Sequence, residues 1–165
     1  MIRAITFATP FVIVFGLVVG VPSNGYGVLT AQTASDITAV ETLLAGIDQA
    51  FSAKDLNRLA TYYDPSVTIF EGGGINNGWA DYRDRHLKAE LDSYSSVQLR
   101  HTQVKVTILP GGQSAYTNSH YTLKANVRDR GVDSEGHETL VLIKTSVGWK
   151  IRHAHSSVRL SRLAQ

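Results

Sequence analysis

The fold and the first candidate site both depend on the stretch WKIRHAHSS at residues 149–157. A β-strand sends alternate side chains to opposite faces. The apolar Trp149 and Ile151 therefore share one face, which we expect to be buried. His153 and His155 follow in the same phase and are predicted to lie on that buried face. Buried imidazoles need hydrogen-bond partners, so the pair is either two satisfied core histidines or part of a pocket or active site.

The beginning of the chain has the layout of a secretory signal peptide. Arg3 supplies a positive charge, and residues 11–21 are an unbroken run of apolar residues and glycine. A polar stretch rich in small residues follows, and no acidic residue occurs before Asp36. The pattern predicts that the protein is exported, either to a periplasm or out of the cell.

Cleavage after Ala31 is predicted, with Ala34 as the alternative site. Residues 1–31 would then be the signal peptide, and residues 32–165 would form a single domain without stable membrane association. The competing interpretation is an uncleaved N-terminal membrane anchor. The apolar run is shorter than the roughly 20 residues that a membrane-spanning helix needs.

Composition excludes several classes of function. The chain has 165 residues, a net charge of +2 and no cysteine. Disulfides, thiol catalysis and cysteine-ligated zinc are therefore excluded. A charge this close to neutral gives no support for nucleic-acid binding, which requires a strongly basic surface.

Helical signals occupy the first part of the domain. Apolar residues recur at helical spacing, which predicts an amphipathic helix from Ser35 or Asp36 to Ala53. Asp55 can cap a short second helix, which the Asp64-Pro65 pair would end. A third helix is predicted from Trp79 to about Leu91.

From Val97 onward the apolar residues alternate with the period of two that is typical of strands. The predicted strands are residues 67–70, 97–108, 115–127, 138–145 and 149–158. The phase slips near residues 100–103, which predicts a bulge in a long, bent strand. Residues 129–136 are predicted to be a polar turn. Helices first and antiparallel strands afterwards indicate an α+β domain.

Three stretches, in their order and spacing, resemble the nuclear transport factor 2-like superfamily. They are DPSVTIFE at residues 64–71, Gly78-Trp79 opening a helix, and GWKIRHAHS at residues 148–156. The resemblance covers about residues 37–158. It extends to the SnoaL-like branch and to the association domain of calcium/calmodulin-dependent protein kinase II.

The resemblance implies a cone-shaped, curved antiparallel β-sheet packed on the N-terminal helices, the cystatin-like α+β roll, with a deep pocket inside. It also implies a homodimer formed through the outer sheet, for which the even-numbered residues of 116–126 are the candidate surface. The superfamily includes steroid isomerases, polyketide cyclases, dehydratases and modules that only bind or assemble. The fold alone therefore does not decide the function.

Glu71, at the end of the first predicted strand, is the candidate general base, because the isomerase branch carries a carboxylate near this place. In an apolar pocket beside Phe70 and Trp79, its pKa would be raised toward neutral pH. The alternative is an exposed carboxylate at a strand end. His153 and His155 could donate hydrogen bonds to a substrate oxygen, orient Glu71 or transfer protons.

The other candidate residues are aromatic and would bind the ligand, with the tyrosines as hydroxyl donors. They are Tyr63, Phe70, Trp79, Tyr82 and Tyr121. His153 and His155 could also hold a metal ion if His101 or His120 joined them with Glu71. Two histidines at this spacing are common by chance, so we expect neither a metal nor a cofactor. Residues 72–74, three glycines, lack the features of a phosphate-binding loop and are predicted to be flexible backbone at the pocket rim.

Two functions follow from these residues. The first, slightly preferred because no catalytic set is complete, is an exported, dimeric pocket protein that binds a small and largely apolar molecule. The second is an acid–base enzyme, an isomerase, cyclase or dehydratase, that acts on a carbonyl compound with Glu71 as base. The sequence leaves open whether the protein is an enzyme.

Overall fold

The computed structural model describes residues 31–128 and 130–160. Nearly all of the predicted signal peptide lies outside the described residues. The helical elements are α1 (Ala31–Ser52), α2 (Leu56–Ala60), α3 (Trp79–Tyr82), a π-helical turn (Arg83–Leu87) and α4 (Lys88–Ser93). Among the described helices, none has the length and apolar character needed to cross a membrane.

The predicted helices are confirmed, although α1 begins earlier than its apolar pattern indicates. Its buried residues recur every three or four positions and form one face against the sheet; they include Val40, Leu43, Leu44, Ile47 and Ala50. The Asp55 side chain accepts a hydrogen bond from the backbone N–H of Arg58 at 2.9 Å, as an N-cap residue does. Two short helices and a π-helical turn follow one another without a break over residues 79–93.

Six strands form one curved, open sheet. They are β1 (Tyr63–Glu71), β2 (Gly74–Asn77), β3 (Tyr94–Ile108), β4 (Ser114–Val127), β5 (Arg130–Thr145) and β6 (Gly148–Leu160). Their order is β2-β1-β6-β5-β4-β3. The predicted α+β fold class is confirmed. The sheet is mixed rather than wholly antiparallel, because β1 and β6 run parallel.

Two details of the strands differ from the prediction. Residues 130–136, predicted to be a turn, pair with β4 as the first half of β5. This part of β5 was not predicted because its side chains are mostly polar and lack the apolar alternation of the other strands. Backbone pairing does not require apolar side chains, and the outer face of the sheet is open to water. Strand β2 was not predicted either, because it is only four residues long and follows directly on the glycines that turn the chain.

The predicted bulge in β3 is confirmed. The pairing of β3 with β4 shifts between Thr102 and Lys105, and Gln103 adopts a φ of 52°. A second bulge lies in β6, where Ile151 pairs with Leu142 but His153 pairs with Val141. Arg152 is the extra residue, and an extra residue reverses the alternation of the strand beyond it.

The bulge at Arg152 overturns the predicted placement of the two histidines. Before it, Trp149 and Ile151 are buried; after it, Ala154 is the buried residue. His153 and His155 therefore lie on the outer face of the sheet. The prediction that they share a face with Trp149 and Ile151 is wrong.

The core lies between α1 and the concave face of the sheet. Leu44 of α1 is almost fully buried, as are Leu140 and Leu142 of β5 and Ile151 of β6. The start of α1 is fixed to the sheet by Asp36, which accepts hydrogen bonds from the Lys144 ammonium at 2.6 Å and the Trp149 indole at 3.3 Å.

Candidate acid–base site in the cavity

A cavity lies between α1 and the concave face of the sheet. Its walls include apolar side chains of α1, β3, β5 and β6, together with titratable residues from six elements. The titratable lining residues are Tyr63, Glu71, Tyr82, Glu90, His101, Tyr121 and Glu138. The space free of protein atoms is about 680 Å³, a figure that includes the open solvent at the mouth of the cavity.

His101 is held between two carboxylates, one from α1 and one from β5. Its Nδ1 lies 2.5 Å from an oxygen of Asp48 on α1, and its Nε2 lies 2.9 Å from an oxygen of Glu138 on β5. The backbone N–H of His101 also donates to Asp48 at 3.0 Å. The His101 side chain is only 4% exposed. The ring is thus fixed in position, with a carboxylate at each nitrogen.

The surroundings of His101 favour the imidazolium form. Burial by itself lowers the pKa of a histidine, because it disfavours the charged form. The hydrogen bonds to Asp48 and Glu138 and their negative charges outweigh burial and raise the pKa of His101 to about 9. At neutral pH the cavity therefore contains a fixed cation that can donate a proton or polarise a bound oxygen atom.

Glu71 ends β1 at the edge of the same cavity, as the sequence predicts. Its partial burial, followed by the negative charge of Glu90, raises the pKa of the Glu71 carboxyl, and Glu138 adds to the effect. His86 and the Tyr82 hydroxyl, whose oxygen lies 3.3 Å from Glu71, act in the opposite direction. A raised pKa makes the carboxylate a stronger base.

Three tyrosines supply hydroxyl groups that stay protonated. Burial raises the pKa of Tyr121 to about 12 and those of Tyr63 and Tyr82 further. Tyr82 donates to Glu71, and Tyr121 donates to the backbone oxygen of Ser157 at 3.2 Å. Within the described part of the chain, the Tyr63 hydroxyl has no hydrogen-bond partner. It is therefore the donor that a ligand can engage without breaking an existing bond.

The structure brings most of the predicted site residues together. Glu71, Tyr63, Tyr82 and Tyr121 line one cavity. Trp79 lies behind Tyr63, with the two rings stacked at 4.8 Å, and supports the cavity without lining it. Gly72 and Gly73 form the turn between β1 and β2 directly after Glu71, and Gly74 begins β2. The flexibility of this turn stays a prediction.

The remaining predicted residues lie at the rim or outside. Phe70 contributes to the cavity wall, but its ring packs on the outer face against His153 and His155, at 5.0 and 6.0 Å between ring centroids. His153 Nδ1 lies 2.9 Å from the Thr68 hydroxyl, and His155 is exposed. Neither histidine reaches the cavity.

The sequence analysis missed the carboxylates of Asp48, Glu90 and Glu138, and it considered His101 only as a metal ligand. The sequence does contain a signal for two of these carboxylates. Glu138 is in phase with the buried Leu140 and Leu142 of its strand, and Asp48 follows Ile47 on the apolar side of α1. A carboxylate in phase with core residues indicates a partner inside the protein. Glu90 gives no comparable signal.

Across residues 31–128 and 130–160, no group of three or more histidine or acidic side chains is arranged to hold a metal ion. The cavity residues that could bind a metal form hydrogen bonds instead: His101 with Asp48 and Glu138, and Glu71 with Tyr82. The arrangement is suited to proton transfer: a fixed imidazolium, a carboxyl with a raised pKa and a free hydroxyl share one small space.

Comparison with known proteins identifies the family. A family model described as the SnoaL-like domain matches residues 40–161. No curated protein matches the chain. A solved structure from Shewanella frigidimarina, provisionally named a ketosteroid isomerase, is 26% identical, with a TM-score of 0.63; the match covers 72% of this chain and 94% of that one.

Other solved structures share the fold at lower identity. A nuclear transport factor 2-like protein from Salmonella enterica serovar Typhimurium is 17% identical, with a TM-score of 0.71, over 79% of this chain and 95% of that one. A protein from Streptomyces avermitilis, provisionally named a dehydratase, is 18% identical, with a TM-score of 0.68, over 78% and 99%. The similarity to the kinase association domain stays a prediction. The chain belongs to the SnoaL-like family, and it shares its fold with a nuclear transport factor 2-like protein.

Proposed function

We propose that this protein is an acid–base enzyme, an isomerase, cyclase or dehydratase, that acts on a small and largely apolar carbonyl compound. One observation carries the proposal: His101 and Glu71, two groups with shifted pKa values, line the same cavity. Shifted groups that converge on a cavity are typical of functional sites.

The residues divide into three roles. Glu71 removes a proton from the carbon next to the carbonyl group, and its raised pKa makes the carboxylate a stronger base. The Tyr63 hydroxyl donates a hydrogen bond to the carbonyl oxygen, where negative charge develops. The His101 imidazolium, fixed by Asp48, stabilises that charge and can give its Nε2 proton when the substrate displaces Glu138.

The proposal keeps Glu71 as base but gives to His101 the role first predicted for His153 and His155. The names of two similar structures, those of an isomerase and a dehydratase, are consistent with this class of chemistry. The part of the cavity that the centre of a water molecule can reach is about 70 Å³. This favours a small substrate, or the reactive end of a larger one that projects from the mouth.

Deuterium exchange tests the proposal. A panel of small ketones and enones in D₂O is followed by NMR for exchange at the carbon next to the carbonyl. We expect the wild-type protein to accelerate exchange for at least one compound. Glu71→Gln and Tyr63→Phe should each slow it by about 100-fold, and His155→Ala is the matched control. Acceleration that survives both cavity changes would contradict the proposal.

A pocket protein without catalysis is the second candidate. It is favoured by one observation: both nitrogens of His101 are already engaged, so no substrate is needed to satisfy them. Ligand-observed NMR on the same panel separates the two functions. Binding without accelerated exchange would support the second candidate, whereas exchange that depends on Glu71 supports the enzyme.

Export and dimerisation are part of the proposal. The apolar run at residues 11–21 supports export with cleavage after Ala31, and mass spectrometry of the protein from its own host tests it. The outer face of β4, including the half-buried Tyr116 and His120, is the proposed dimer surface. Light scattering of the mature protein should give twice the mass of the chain. The mass of a monomer would contradict the proposed dimer.

A further inference from the structure

A second histidine lies next to the cavity and reaches toward solvent. His86 is in the π-helical turn, where the extra residue of the turn changes the direction of its side chains. Such turns are frequent at functional sites. Its Nε2 lies 4.0 Å from an oxygen of Glu71 and 3.8 Å from an oxygen of Glu90, and the side chain is 33% exposed. One end of the ring therefore meets the cavity carboxyls while part of it is open to water.

Strand β2 fixes which nitrogen of His86 carries the hydrogen. The Nδ1 of His86 lies 3.2 Å from the Asn76 side-chain oxygen. The orientation of that amide is set by its other end, which donates to the Asp81 carboxylate at 3.4 Å, since a carboxylate can only accept. Asn76 thus presents its oxygen to His86, and Nδ1 must be the nitrogen that donates. In the neutral ring, Nε2 is then the nitrogen with the lone pair, 4.0 Å from a Glu71 oxygen and 3.8 Å from a Glu90 oxygen.

The distances fit a proton path rather than a permanent ion pair. At 4.0 Å, Nε2 and the Glu71 oxygen are too far apart for a direct hydrogen bond. A small side-chain rotation or one bridging water closes the gap. Glu90 is held in place by the Tyr94 hydroxyl, which donates to its other oxygen at 2.5 Å. The carboxylate that would stabilise an imidazolium at His86 is therefore already positioned.

We propose that His86 carries protons between Glu71 and solvent, with Asn76 holding the ring in the tautomer that makes this possible. The proposal rests on the proposed role of Glu71 as the base. After Glu71 has taken a proton from the substrate, its O–H bond breaks and the proton moves to the Nε2 lone pair of His86. The imidazolium keeps its Nδ1–H on Asn76 and releases the Nε2 proton to a buffer base in solution. Glu71 is left as a carboxylate, ready for the next proton; the reverse path brings a deuteron in from D₂O.

Deuterium exchange at two buffer concentrations tests the transfer. In dilute phosphate, His86→Ala should exchange the ketone panel at least tenfold more slowly than wild type, and added imidazole should restore most of the rate. A merely structural role would not be rescued by imidazole in solution. His155→Ala, which changes an exposed histidine on the outer face, is the matched control and should need no rescue. A rate for His86→Ala equal to that of wild type in dilute buffer would overturn the proposal.

Nitrogen-15 NMR of the histidine rings tests the tautomer without any substrate. The neutral His86 ring should carry its hydrogen on Nδ1 in the wild-type protein and become a mixture of tautomers in Asn76→Ala. A neutral ring with its hydrogen on Nε2 would overturn the proposal, because that nitrogen could not accept a proton from Glu71. If no panel compound shows exchange that depends on Glu71, the proposed function fails on its own, and the tautomer still decides whether His86 could accept a proton.

Discussion

The two faces of the curved sheet carry the same residue type in opposite surroundings. On the concave face, His101 is enclosed and has a carboxylate at each ring nitrogen. On the outer face, His153 meets the Thr68 hydroxyl and the edge of the Phe70 ring, and His155 is open to solvent. Only the first environment fixes a charge inside an apolar space. A histidine in the sequence therefore does not indicate a functional site until the face of the sheet on which it lies is known.

The largest expected effect is on the inner face. His101→Ala removes the only cation between Asp48 and Glu138 and leaves two partly buried carboxylates facing each other. We expect the free energy of unfolding to fall by about 3–5 kcal/mol, as measured by urea denaturation at pH 7. The matched change His153→Ala should cost far less. Equal losses for the two variants would break the contrast between the faces.

The pH dependence of stability should follow His101. Its pKa is raised from 6.5 to about 9 in the folded protein, so the stabilisation is complete below pH 6.5 and is lost as pH rises through 9. Between pH 6 and pH 10, the wild-type protein should lose up to about 3 kcal/mol more than His101→Gln does. Urea denaturation at both pH values measures the difference. Parallel curves for the two proteins would contradict the assignment of charge to His101.

Two glycines in β5 differ in the space around their backbone. Gly136 lies on the concave face, where an added Cβ would come 1.8 Å from the Ser157 backbone oxygen and 3.0 Å from the Tyr121 ring. Gly131 in the same strand offers open space, with its nearest atom at 3.9 Å. Gly136→Ala should destabilise the protein by about 1–3 kcal/mol and Gly131→Ala by much less, as read from thermal unfolding.

The smallest effect is expected on the outer face. His153→Ala removes one hydrogen bond to Thr68 and an edge contact with Phe70, both at a partly exposed position. We expect a loss of about 0.5–1 kcal/mol in unfolding free energy and no change in proton exchange at the substrate. A loss of exchange activity in this variant would show that a histidine on the outer face takes part in the reaction.

Much of the fold could be predicted, because apolar periodicity is a strong signal. The period of α1 and the phase slip in β3 both involve large apolar residues, so the helix and the bulge were visible in the sequence. The bulge in β6 was not visible in the sequence. Beyond Ile151 the buried residue is Ala154, which is small, and the two histidines alternate with it in a pattern that fits either phase.

The candidate site could be predicted only in part. Glu71 and the three tyrosines follow from strand position and family resemblance, and they do line the cavity. The partners of His101 come from elements far apart in the chain: α1 supplies Asp48 and β5 supplies Glu138. Long-range contacts of this kind depend on the packing of a helix across a sheet, which no local pattern specifies.

The most direct test of this account is an NMR titration of the six histidines, with the His101 signal assigned by its loss in His101→Gln. His101 should stay protonated through neutral pH and titrate with a midpoint near 9. A midpoint near the ordinary histidine value of 6.5 would show that no fixed cation occupies the cavity at neutral pH, and His101 could not then have the proposed role.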